Sequence, residues 1–161
     1  MLPKNLPELE AIRNECYSMV TKRATISAGT SAIPTIGVDI AADVAILLEL
    51  IPAIEKRFGL SSDQIGRYDP AVKQAILQVI KRAGLAMIGQ EVTKTLITQA
   101  LKKVAGRTVV KQILKFVPFA GWAANAAIGF GAMKYVGNSH VEDCYQVCKG
   151  LLANPEVITA R

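Results

Sequence analysis

The stretch IPTIGVDIAADVAILLELIPAIEKRFG, residues 33–59, decides the fold. Pro34 lacks an amide donor and ends whatever helix arrives, and Gly37 permits the chain to reverse. A helix is predicted from near Val38 to Phe58. Gly59 supplies a natural C-terminal cap, and Lys56 and Arg57 suit the negative end of the helix dipole. Pro52 falls inside this helix and predicts a kink or a split. The pattern returns as Val117-Pro118-Phe119-Ala120-Gly121, again before an Ala-rich apolar helix. Each copy reads as the tip of an apolar helical hairpin, with Pro34 and Gly37 turning one and Pro118 and Gly121 the other.

Working outward, the remaining chain is also helical in pattern. Ala, Leu, Ile, Lys and Gln recur in helical periods, and only Thr108-Val109-Val110 looks strand-like. Pro7 suits the first position of an N-terminal helix, whose apolar stripe runs Leu9, Ile12, Cys16, Met19 and Val20. Ser61 to Gln64 reads as a cap and a short helix. Asp69-Pro70 opens a long helix toward Val104, with weak points at Gly84 and Gly89. Further helices are predicted over Thr108–Val117, Gly121–Val136 and Ser139–Leu152. The expectation is an all-α, compact helical bundle forming a single domain over residues 1–161, with its core about 7–152 and a loose tail over 153–161.

The composition fits that reading. Hydrophobic residues make up 51% of the 161 and charged residues 20%, which is too apolar for disorder. The net charge of +6 is unevenly spread. Pro70 to Tyr135 holds ten Lys or Arg against one acid, Glu91, whereas the first 69 residues hold nine acids and seven bases. A cationic block of this kind attracts phosphate groups; the competing reading is a solvated face on amphipathic helices. Within it Lys103, Arg107, Lys111 and Lys115 step by four. If the helix continues through Gly106 they form a basic stripe beside apolar residues, ending in Phe116 and Phe119. That is the composition of an interfacial anchor on an anionic membrane. No nucleic-acid reading module or stacking aromatic cluster is visible, which argues against nucleic acid.

A membrane span is less well supported. Phe116 to Met133 is uncharged for 18 residues, at the threshold for a crossing, but Pro118 and Gly121 shorten its helical part. The other apolar stretch carries Asp39, Asp43 and Glu49. Ala123, Ala127 and Gly131, spaced by four, favour close helix approach in water or lipid.

Chemistry is sparse. No Gly-x-x-x-x-Gly-Lys-Ser/Thr run exists to cradle a phosphate, and one histidine limits acid–base or triad chemistry. His140, Cys144 and Cys148 share a helix face, but the outer two stand ~12 Å apart along the axis and cannot reach one ion. They read as two core cysteines and a rim histidine. Asp39 reads as a first-turn dipole partner, and Asp43 as a cap or a partner for Ser27 or Thr30. No catalytic residue, cofactor or metal is expected, so the chain is not read as an enzyme. Three cysteines form no disulfide framework and point to a reducing, cytoplasmic setting. The N-terminus has no signal-peptide pattern, and Leu2 stands where N-myristoylation needs glycine.

Ala32 to Leu47, then Arg57-Phe58-Gly59-Leu60, resembles the C-terminal helical domain of the immunity-related (interferon-inducible) GTPases. Val117 to Gly121, Gly129-Phe130-Gly131 and Glu142 to Val147 look like the end of the same domain. Bacterial helical domains of unknown function fused to small GTPases are similar too. The resemblance covers about residues 18 to 152 and rests on short apolar motifs. It implies an all-helical module that assists membrane targeting and assembly. The GTPase half has no counterpart here, so the nucleotide switch does not carry over. Three readings follow: a non-enzymatic module binding an anionic membrane surface or a GTPase-like protein; a soluble, homo-oligomerising regulatory protein; and a membrane-inserting pore former.

Overall fold

The computed structural model describes residues 1–30, 38–85, 87–105 and 121–154. The expected all-α fold is what it shows. The elements are α1 (Leu6–Thr30), α2 (Val38–Phe58), α3 (Ser62–Arg67), α4 (Pro70–Ala83), α5 (Lys94–Ala105) and α6 (Gly121–Leu152), and no strand occurs among the described residues. The Pro34–Gly37 segment and Pro118 lie outside the described residues, as do Thr108–Val110 and the tail from 155 onward. Gly121 is the first residue of α6.

The helix ends follow from local chemistry. The Asn5 Oδ1 accepts from the Glu8 amide at 2.9 Å, and the Glu8 carboxylate reaches back to the Lys4 amide at 2.8 Å. Two amides near the start of α1 are thereby satisfied. The α2 helix ends at Gly59, whose φ of +76° lies in the left-handed region, and the Leu60 amide bonds back to the Glu55 carbonyl at 2.8 Å. The α4 helix ends the same way: Gly84 has φ +68° and the Leu85 amide reaches the Ile80 carbonyl at 3.1 Å. Both are glycine-terminated ends of the Schellman type. At the other end of α4, the Asp69 Oδ1 accepts from the Ala71 amide at 2.9 Å, with Pro70 at the first helical position.

Two expectations are corrected. The long helix from Asp69 to Val104 is instead α4 and α5. Gly84 and Gly89 both adopt positive φ, a reversal that a continuous right-handed helix excludes. The two predicted C-terminal helices are one, because α6 runs unbroken through Gly137. That glycine serves packing: a Cβ there would stand 2.7 Å from Val20 Cγ1. Of the two outcomes expected at Pro52, the split does not occur, because α2 continues through it to Phe58.

The chain divides into two compact units. The first comprises 1–17, 51–91 and 140–161, and the second 18–50 and 92–139. The first unit centres on fully buried Leu9, Ile54, Phe58, Leu60, Ile76 and Leu151. The second centres on Val20, Ala24, Leu47, Leu50, Ile97 and Met133. Full burial of each large aliphatic side chain contributes ~1.5–3 kcal/mol, and all of these residues but Leu60, which follows the end of α2, sit on helix faces that their sequence periods define.

Candidate functional site

The predicted basic stripe falls where the structure is not described. Arg107, Lys111, Lys115, Phe116 and Phe119 lie outside the described residues; Lys103 lies within α5, and its side chain is also outside them. The Asp39 side chain is likewise outside them, while Asp43 is buried.

The same cationic block is visible on α4. This helix buries Val72 and Ile76 on one face. It turns Lys73, Gln74, Gln78, Lys81 and Arg82 to solvent, with Leu77 50% exposed among them. Lys73, Leu77 and Lys81 stand one helical turn apart in sequence, so they share a stripe. No acid occurs in α4 or α5, and among the described residues none of Lys73, Lys81, Arg82 and Lys94 enters an ion pair. Lys81 and Arg82 also complement the C-terminal dipole of α4. Lys73, near the N-terminus, gains nothing from that dipole and is available for an anion.

A second cluster lies in the core of the first unit. Glu55 of α2 and His140 of α6 are buried together, with side chains 2% and 3% exposed. His140 Nε2 stands 3.3 Å from Glu55 Oε1 and 3.7 Å from Cys144 Sγ. The pairing with Glu55 is close but off-line, so Oε1 has no well-aligned hydrogen bond. Beside it, the Cys148 thiol donates to the Phe58 carbonyl at 3.6 Å, meeting one of the acceptors left open at the end of α2. His140, Cys144 and Cys148 do share one face, as their spacing predicts, but His140 is a core residue and not a rim one. Desolvation pushes the Cys144 thiol well above its ordinary range, and burial, helped by Glu15, pushes Cys16 up to about 12. Buried thiols held in the protonated form are poor nucleophiles and poor metal ligands. Among the described residues no three His, Cys, Asp or Glu side chains are placed to hold a metal ion.

A third cluster joins α1 to α6 within the same unit. The Arg13 guanidinium donates through Nε to Glu142 at 2.6 Å and lies over the Tyr145 ring at 4.6 Å. Tyr17 also donates to Glu142, and Tyr145 donates to Glu10. Tyr145 and then Arg13 hold the Glu10 carboxyl below its usual range, and Glu142 raises Arg13 further. Both carboxylates accept from Arg13 and from a tyrosine hydroxyl, so the cluster reads as a fastener and not as a reactive centre.

Sequence reasoning missed Glu55. The signal was present: Ile51, Glu55 and Phe58 are spaced by four and three, which puts this acid on the apolar face of α2. It also missed the exposed α4 face, whose sign is in the Lys73-Leu77-Lys81 spacing. Comparison with family models, curated proteins and solved structures returned no match. Among the described residues no helix is long and apolar enough to cross a membrane.

Proposed function

We propose that the chain is a non-enzymatic helical module that adsorbs peripherally to anionic membrane surfaces from the cytoplasmic side. The observation that carries this is the charge segregation between Pro70 and Tyr135, of which α4 displays Lys73, Lys81 and Arg82 around an exposed Leu77. Each basic residue near an anionic surface contributes ~1 kcal/mol, so three on one helix strengthen adsorption by roughly two decades. Leu77 adds a small apolar anchor of the kind that shallow interfacial binding uses. The resemblance to helical domains of immunity-related GTPases points the same way and adds a GTPase-like protein as a second class of partner.

Flotation with vesicles of phosphatidylserine and phosphatidylcholine tests this. The chain is expected to float with anionic vesicles at low salt, not with neutral ones, and to be released as salt rises, because exposed charge is screened over ~8–10 Å. Lys73→Glu/Lys81→Glu/Arg82→Glu is expected to abolish flotation with helicity unchanged. The same loss is expected of the stripe variant Lys103→Glu/Arg107→Glu/Lys111→Glu/Lys115→Glu. Equal flotation with neutral and anionic vesicles, or unchanged flotation of both variants, overturns the reading.

A further inference from the structure

The first unit contains a cavity of about 460 Å³ that none of the clusters above uses. Its walls are apolar: Leu2, Val72, the Met1 side chain and the ring of Tyr68. Leu2 and Val72 are buried, and the Tyr68 hydroxyl is turned to the Gly59 carbonyl, to which it donates at 2.9 Å. Two cations, Lys4 and Arg67, and one acid, Asp69, complete the lining. The Asp69 Oδ1 is held by the Ala71 amide as the cap of α4. Lys4 and Arg67 are exposed and enter no ion pair among the described residues.

We infer that this cavity binds a single-chain anionic amphiphile, of the chemical class of a fatty carboxylate, with its chain against Leu2, Tyr68 and Val72 and its head between Lys4 and Arg67. Three features carry the assignment. The volume lies in the range of small-molecule sites, ~300–1,000 Å³. The lining is apolar except at two cations and one acid, and the acid is engaged as the cap of α4, so the polar end is net cationic, the division an anionic amphiphile needs. The walls made by Leu2 and Val72 are also pre-formed. Gly59 lets the N-terminal strand of chain lie against the end of α2, since a Cβ at Gly59 would come 2.7 Å from both Leu2 N and Met1 C. A pre-formed site loses less ordering entropy on binding. A two-chain lipid would need roughly twice the room of one alkyl chain, so a cavity of about 460 Å³ suits a free single-chain species.

Calorimetry on the full chain with laurate, below the concentration at which it forms micelles, tests the inference. Laurate is expected to bind, octanoate more weakly, and acetate not at all, because chain burial supplies most of the affinity. Dodecyltrimethylammonium, of equal chain length and opposite charge, is expected to bind at least about tenfold more weakly. In Lys4→Glu/Arg67→Glu that preference should invert. Both positions are exposed, and an unchanged thermal melt checks that the fold is intact. No laurate binding, or laurate binding unaltered by the double charge reversal, overturns the inference. The same variant should still float with anionic vesicles, whereas the α4 charge-reversal variant should still bind laurate. The failure of membrane adsorption and the failure of this cavity are thus read separately. Loss of flotation in Lys4→Glu/Arg67→Glu overturns the assignment to a free amphiphile.

Discussion

Glu55 and His140 form a carboxylate–imidazole pair with almost no exposure, reached from two helices far apart in sequence. Leaving a buried polar group without its partner costs ~1–3 kcal/mol. Glu55→Ala is therefore expected to lower the free energy of urea unfolding by that order, since it strands an imidazole in an apolar core. Glu55→Gln keeps the shape and a polar partner for Nε2, so its loss should be clearly smaller. Equal losses in the two variants would mean that the pair contributes by volume alone. Half of this arrangement was legible beforehand. The spacing of His140, Cys144 and Cys148 fixed a common face, but which of them lies deepest depends on what α2 sets opposite them. A long-range contact such as Glu55 to His140 leaves no local trace beyond an acid on an apolar stripe.

At the scale of elements, glycine decides the outcome in two opposite ways. Gly84 ends α4 and Gly89 turns the chain between α4 and α5, both in the left-handed region. Gly137 continues a helix, because its missing side chain admits Val20. Sequence alone marks Gly84 and Gly89 as weak points and leaves Gly137 in a gap between two predicted helices; it does not tell the uses apart, since that depends on the neighbour each one meets. Caps were far more legible: Gly59 and Asp69-Pro70 act through bonds to residues within a few positions. The packing role predicts that Gly137→Ala destabilises. The new Cβ would lie 2.7 and 2.9 Å from the two Val20 methyls, and overpacking costs ~1–3 kcal/mol against a helix-propensity gain of up to ~1 kcal/mol. The loss should shrink in a Val20→Ala background, as a double-mutant cycle on chemical denaturation will show. Gly66, inside α3, has no atom within 4 Å of its Cβ position, so Gly66→Ala should stabilise by ~0.5–1 kcal/mol. A stabilising Gly137→Ala would refute the close-approach account.

At the scale of the whole molecule, the uneven spread of charge was fully legible in the sequence, and it is the part of the candidate site that needs no structure. Which cations face water and stand unpaired was not, because exposure is set by packing; the structure adds Lys73, Lys81 and Arg82 to that set. The acids and thiols predict how stability follows pH. At the acid end two groups oppose each other. The Glu10 carboxyl is lowered, so its contribution is lost as pH falls below the ordinary value of 4.5, whereas desolvation raises Asp143, so acid relieves a strain there. At the alkaline end four groups act together. Cys16 and Cys144 are raised by burial, Tyr17 chiefly by burial, and Tyr145 chiefly by its bond to Glu10. A raised acid holds its proton in the fold and releases it on unfolding. Its contribution is complete below the unfolded value, 9.0 for cysteine and 10.0 for tyrosine, and disappears as pH climbs toward the folded one. The melting temperature should therefore be level from pH 7 to about 9 and fall steadily above it. Cys16→Ala/Cys144→Ala should melt lower at pH 7, because it removes buried packing, yet lose less on going from pH 8 to pH 11. Loss of net positive charge as lysines titrate acts in the opposite sense by relieving repulsion, and it acts equally in both proteins, so the difference between the two curves isolates the thiols. Parallel curves would show that the buried thiols do not govern the alkaline limb.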